Sequence, residues 1–151
     1  MTDILLADDR NGLREPSEKV TDFDASLAAF AEEMISKMGD HPGISAPQLG
    51  RNIRMFALGS RILGKAPLVM VNPEIEGKGG RDVKYEGCLS LPDRAFSVKR
   101  RKKVTVRFQD LNGKRMSAFA KGFKARVIQH EGDHLDGLLI DVTGEEHEEE
   151  K

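Results

Sequence analysis

An α+β fold, with antiparallel-leaning strands packed on a central H-E-x-x-H helix, is predicted by three observations. Apolar residues recur at spacings of three and four over 25–38 and again over 123–139, the period of a helix with one buried face. Between them, from about 53 to 120, the period drops to two, as in half-buried strands. Asn112-Gly113 separates two such runs, which signals a tight hairpin with positive φ at both turn residues, and hairpins join antiparallel strands.

The elements follow in order. Residues 1–24 read as an irregular arm ending near Asp22-Phe23-Asp24. Over 25–38, Leu27, Phe30, Met34 and Met38 form the apolar stripe, and Glu32, Glu33 and Lys37 lie off it. Thr21 or Asp24 supplies the cap, and Gly39-Asp40-His41-Pro42-Gly43 breaks the helix. Ile53–Leu58 and Leu68–Val71 are continuous apolar runs. Val83–Tyr85, Ala95–Val98, Val104–Phe108 and Met116–Phe119 are further strand candidates, and Gly77, Gly79 and Gly80 mark a flexible loop. In the second helix Phe123, Val127, His130, His134 and Leu138 share one face. The Glu-rich end is expected to be frayed and solvated. The chain thus divides into a catalytic domain over 1–142 and a short acidic tail over 143–151.

Composition excludes several classes. A length of 151 residues fits one domain with a real core. A net charge of -1 is not that of a general nucleic-acid binder, and 5% aromatic residues without Trp provide few stacking platforms. One cysteine forms neither an internal disulfide nor a C-x-x-C zinc site. No run approaches the ~18 apolar residues of a membrane span. Acids at Asp3, Asp8 and Asp9 do not suit a signal or transit peptide, so a cytoplasmic protein is expected.

The chemistry concentrates in His130-Glu131-Gly132-Asp133-His134. On a helix, residues four apart stack on one face, so both imidazoles reach one metal ion. Glu131, one step round, can touch a metal-bound water without being a ligand. Gly132 costs about 1 kcal/mol inside a helix relative to Ala, which argues against a purely structural segment. A catalytic site of this kind usually needs a third protein ligand. The metzincin extension fails because Ile140 stands where a third His is required, and a thermolysin-like Glu is available only in the tail. The remaining strong donor is Cys88 in Glu86-Gly87-Cys88-Leu89-Ser90, either a buried core thiol or the missing ligand.

Three segments together resemble the peptide deformylase family. E-G-C-L-S over 86–90 is identical to that family's second motif. Gln129 to Gly137 fits its third, Q-H-E-x-D-H-L-x-G, at every fixed position. The first, G-x-G-x-A-A-x-Q, is met more loosely by residues 41–48, with His41 for its first Gly and Ser45 for its first Ala, while Gly43, Ala46 and Gln48 are kept. The resemblance spans roughly residues 4–142.

This resemblance implies one divalent metal ion held by Cys88, His130 and His134 with water as fourth ligand. Fe(II) is the characteristic ion, and Ni, Co or Zn are accepted. The reaction implied is removal of the N-formyl group from formyl-methionyl nascent chains, releasing formate. Glu131 would carry the proton from water to the departing amine. The side-chain amide of Gln48 and the backbone N–H of Leu89 would hold the oxyanion. Arg100 matches a family arginine that pairs with the acid at Asp133. Gly43, Ile44, Glu86, Phe123 and Val127 are assigned to substrate, with Ile44, Leu89, Phe123 and Val127 as walls of a methionine pocket. Arg126 has no evident place among them.

His41 reads as a loop residue, and Lys99-Arg100-Arg101-Lys102-Lys103 as the solvated approach to a strand. Only 17 residues follow His134, so the longer terminal helix of many bacterial relatives is not expected, as in short forms that include phage-encoded ones. An acidic tail repels RNA phosphates, which disfavours ribosome docking through it. A monomer is expected, without membrane or specific nucleic-acid partners. Two other readings compete: a zincin-like metallopeptidase, and a catalytically silent metal-binding protein that binds formyl peptides.

Overall fold

The structure is a computed structural model describing residues 4–7 and 12–147. Asp3, Asp8, Asp9 and residues 148–151 of the acidic tail lie outside the described residues. Helix α1 spans Ala25–Met38, as its periodicity predicts, and of the two cap candidates Asp24 acts, its Oδ1 accepting from Leu27 N at 2.9 Å. Strand β1 (Gly43–Ser45) and a single 3₁₀ turn (Ala46–Leu49) precede β2 (Met55–Leu58) and the short helix α2 (Ser60–Leu63). Strands β3 (Leu68–Cys88), β4 (Leu91–Gln109) and β5 (Arg115–Lys121) follow, then helices α3 (Gly122–Leu135) and α4 (Ile140–Thr143) and strand β6 (Gly144–His147). The strands pair in the order β1-β2-β3-β4-β5, all antiparallel, and β6 pairs with β4. The fold is α+β. No helix of the described residues is long and apolar enough to cross a membrane.

The two faces of β2 and β3 explain the continuous apolar runs. Met55, Ala57, Val69 and Val71 pack with Leu27, Phe30, Met34 and Met38 of α1. Phe56, Leu58 and Met70 pack the other way, against Ala125, Val127, Ile128 and Leu135 of α3. A sheet covered on both faces loses the alternation of a half-exposed strand. Helix α3 is therefore held against a rigid surface, and its polar edge carries the histidines.

Four sequence expectations are corrected here. Val83–Tyr85 belongs to β3 together with Leu68–Val71, and Ala95–Val98 belongs to β4 together with Val104–Phe108. The supposed loop at Gly77, Gly79 and Gly80 lies inside β3, where the register shifts between Lys78 and Arg81. A bulge needs the backbone freedom that a loop also uses, so the glycine signal is shared. The β4–β5 turn is not a two-residue type I′ turn. Asp110 N donates to Lys114 O, Asp110 Oδ1 accepts from Asn112 N and Lys114 N, and only Gly113, at φ 82°, has positive φ. This three-residue loop is built around the Asp110 side chain. Finally, Gly144–His147 is not frayed. It pairs with Ala95–Val98, and Arg94 holds Glu146 through two bonds at 2.8 and 3.0 Å.

The end of α3 also differs from the predicted span, stopping at Leu135 rather than running to 139. Leu138 N donates to Asp133 O and Gly137 N to His134 O, the paired bonds of a Schellman cap. Gly137 sits at φ 77°, and a Cβ there would lie 2.6 Å from Arg14 O. Gly137→Ala will lower stability by more than about 2 kcal/mol, combining the αL penalty with that backbone clash. Urea unfolding checks it, with Asp136→Ala as an exposed neighbour for comparison.

Candidate metal centre

Three separate elements deliver the donor atoms. Cys88 is the last residue of β3, and Cys88 pairs with Leu91, so Leu89 and Ser90 form the turn into β4. The register shifts between Glu86 and Cys88, at Gly87, which turns the thiol out of the regular ladder. His130 and His134 lie four apart on α3, their rings edge-to-face with centroids 4.7 Å apart. The ligand atoms of Cys88, His130 and His134 all lie within 4.8 Å of one another, and Cys88 Sγ is 3.6 Å from His134 Nε2.

The outward nitrogens of both rings are engaged elsewhere, which leaves Nε2 of each for the centre. His130 Nδ1 is 2.8 Å from Glu86 Oε1. His134 Nδ1 is 3.1 Å from Ser45 Oγ. Such contacts fix ring orientation and tautomer in metal-ligating histidines. Burial would raise the Cys88 thiol, but hydrogen bonds with His130 and His134 outweigh it and hold it down at about 6. Burial would lower His130, yet its contacts with Cys88 and Glu86 hold it up at about 10. His134 is raised as well, burial opposing and the Glu131 charge and Cys88 prevailing. A thiolate between imidazoles is a donor set for a first-row divalent ion. An ion bound here would have to displace ring protons, so its affinity would rise with pH.

Glu131 is buried beside the centre, and its Oε1 has no hydrogen-bond partner. That oxygen is 3.2 Å from His134 Nδ1, without the alignment of a hydrogen bond. An orphaned buried carboxylate oxygen costs free energy unless something else comes to it, which suits a group that receives a proton from water. Gly43 makes room for it: a Cβ there would lie 2.9 Å from Glu131 Oε2 and 3.1 Å from Val127 Cγ1. Gln48 is held by its oxygen. Ser45 N and Ser45 Oγ donate to Oε1 at 3.0 and 3.1 Å, and Nε2 donates to Ser90 Oγ at 3.2 Å and faces Cys88 Sγ at 3.9 Å.

Behind the histidines lies a buried ionic network on Glu86. Arg100 donates to both oxygens, at 2.9 and 3.1 Å, and also bonds Asp133. Arg126 bonds the same carboxylate, Val98 O and Asp82. Burial would raise the Glu86 carboxyl, but His130 and Arg100 hold it down at about 2.

Most sequence-assigned residues meet in one cavity of about 840 Å³. Gly43, Gln48, Glu86, Cys88, Leu89, Phe123, Val127, His130 and Glu131 all line it. His134 is buried next to Cys88 and is not part of the lining, and Arg100 with Asp133 stands behind Glu86. Phe123 is 58% exposed at the mouth, and His41 is an exposed residue of the rim. Ile44 is a correction as a pocket wall. The pleat of β1 points Gly43 and Ser45 to the site and Ile44 away, into the core with Leu49 and Met55. Within Lys99–Lys103, Arg100 is buried, so the run is not a uniformly solvated face.

Sequence reasoning missed the roles of Ser45, Ser90, Arg126 and Gln129. Arg126 precedes His130 by one helical turn, so both reach Glu86, a spacing readable in the sequence. Gln129 accepts from Arg101 N and donates to Arg101 O at 2.9 and 2.8 Å, pinning α3 to β4. For the two serines no local pattern gives the role.

Comparison with known proteins agrees with this geometry. The family whose model matches residues 1–148 is described as polypeptide deformylase. The chain is 39% identical over 130 residues to a peptide deformylase of Dictyoglomus thermophilum, covering 85% of this chain and 83% of the relative. Its fold superposes on a crystal structure of peptide deformylase from Thermotoga maritima with TM-score 0.86 and 38% identity, covering 93% of this chain and 95% of that one. A probable peptide deformylase from Synechococcus phage S-SSM7 gives TM-score 0.84 and 36% identity, covering 94% and 99%.

Proposed function

The chain belongs to the polypeptide deformylase family, and on that premise we propose that Cys88, His130 and His134 hold one metal ion, Glu131 carries the proton, and Gln48 and Leu89 bind the oxyanion. The activity is metal-dependent hydrolysis of the N-formyl group of N-formyl peptides, with release of formate. The observation that carries the residue roles is the orphaned Glu131 oxygen beside a three-donor cluster, at the floor of an 840 Å³ cavity.

A divalent ion held by these donors polarises a carbonyl and lowers the pKa of a water. We assign Fe(II), with Ni, Co or Zn accepted by the same thiolate–imidazole set. Glu131 Oε1, which makes no hydrogen bond within the protein, takes the water's proton and later gives it to the departing amine. The Gln48 amide is held through its oxygen, and the N–H that makes only a long 3.9 Å contact to Cys88 Sγ is the one to be given to the oxyanion. The Leu89 N–H, on the turn after Cys88, is the second donor. Phe123 and Val127 face the methionine side chain and Gly43 the peptide beside it, whereas the Glu86 carboxylate, engaged by Arg100, Arg126 and His130, acts through His130 and leaves only its backbone to the peptide. We propose a monomer as the working form.

The test is formate release from a formyl-Met tripeptide by protein prepared anaerobically with Fe(II) or Ni(II). Turnover is expected with metal and none after chelation. Full metal occupancy without formate, or cleavage of internal bonds in an unblocked peptide, would overturn the assignment.

A further inference from the structure

We infer that Ser45 is a positioning residue whose one hydroxyl sets both the tautomer of His134 and the orientation of Gln48. Ser45 is fully buried, and its Oγ lies 3.1 Å from Gln48 Oε1 and 3.1 Å from His134 Nδ1. Proton counting leaves one arrangement. Gln48 Oε1 can only accept, and it already receives Ser45 N–H at 3.0 Å, so the hydroxyl proton also goes to it. The Oγ lone pair then accepts from Nδ1–H of His134. With Nδ1–H directed at Ser45, Nε2 is the ring atom that faces Cys88 Sγ, 3.6 Å away, and the one left to give up its proton to the metal proposed to sit there.

The arrangement has a second consequence. Glu131 Oε1 is 3.2 Å from the same Nδ1, an ion-pair contact without hydrogen-bond alignment. Ser45 Oγ is the better-aligned acceptor, so the ring proton does not occupy the carboxylate needed as a base. Without the hydroxyl, Glu131 Oε1 is the acceptor at hand. The ring would turn toward it, and Gln48 Oε1 would lose one of its two donors. Ser45 thus keeps ligand, oxyanion donor and base from engaging one another. The serine stands where the first motif of the family carries its first Ala, so the device is particular to chains that make this substitution.

This inference rests on the metal-centre assignment proposed above, and its test separates the two. The probe is Co(II), bound to the full chain and competed with a chelator. Its visible absorption reports ligand geometry, and formyl-Met tripeptide kinetics run in parallel. Ser45→Ala is expected to weaken Co(II) about 10-fold or more, to shift the d–d bands, and to lower kcat about 10-fold with KM within twofold. Ser45→Gly, which also removes the hydroxyl and adds no metal ligand, is expected to reproduce the loss, and urea unfolding of both variants guards against a folding defect. Unchanged Co(II) affinity and spectrum in both variants would overturn the role. A native chain that releases no formate, with variants that still weaken Co(II), would sink the deformylase roles and leave the Ser45 assignment standing.

Discussion

Glu131→Gln will lower formate release about 10²–10⁴-fold while the protein keeps its metal. The amide fills the same space beside Gly43, where a Cβ would already lie 2.9 Å from Glu131 Oε2. It cannot take a proton from water at Oε1 or return one to an amine. Because Glu131 is not among the three clustered donors, metal content should stay at one ion per chain. The loss should fall on kcat and kcat/KM together, the signature of an interaction made only in the transition state. Metal analysis and steady-state kinetics on one anaerobic preparation check both halves. A variant that loses its metal would make Glu131 a ligand, and one that keeps its turnover would end its role as proton carrier.

The helices were legible because a single buried face forces apolar residues to recur every three or four positions. Leu27, Phe30, Met34 and Met38 in α1 show this directly. The long hairpin of β3 and β4 was only partly so: Phe96, Val98 and Arg100 alternate as a buried face, but around 78–81 and 101–103 no residue is buried and the alternation stops. Lys78, Arg81, Lys102 and Lys103 are exposed there, and across that stretch the strands are continuous only through backbone pairing. A register read from side-chain pattern must break where both faces meet water. The same reasoning covers β6, whose Glu-rich sequence reads as solvated tail but whose backbone completes the edge of Ala95–Val98.

The candidate metal-binding cluster was readable in two parts of different quality. His130 and His134 declare themselves by helical spacing. Cys88, 42 positions before His130, enters only through the incompleteness of the pair and the resemblance of its surrounding motif. What stayed hidden were groups whose importance comes from proton direction. Ser45 and Ser90 are ordinary small polar residues in sequence. Their roles appear only once Gln48 and His134 are brought within 3.2 Å of them.

Glu86→Gln will cost about 3–5 kcal/mol of stability and weaken metal binding about 10–100-fold, a double loss that no single ligand-facing contact explains. One buried carboxylate accepts from Arg100, Arg126 and His130 Nδ1, and the two arginines are almost wholly removed from water. Removing its charge leaves two buried guanidinium groups with weaker partners, which is the costly way to break a buried ion pair. It also loosens the ring of His130, whose outward nitrogen has Glu86 as its hydrogen-bond partner. The pH dependence carries a definite sign. Glu86 is held from its ordinary 4.5 down to about 2, so it binds a proton more weakly folded than unfolded. Its stabilisation, on the order of 3 kcal/mol, is present above about pH 4.5 and drains away as pH falls toward 2. Urea unfolding of the native chain should therefore weaken steeply across that window. Glu86→Gln should start lower and show a flatter slope, since no carboxylate remains there to titrate. Parallel curves for the two proteins would mean that acid lability resides elsewhere, and unchanged Co(II) affinity would separate the network from the metal centre.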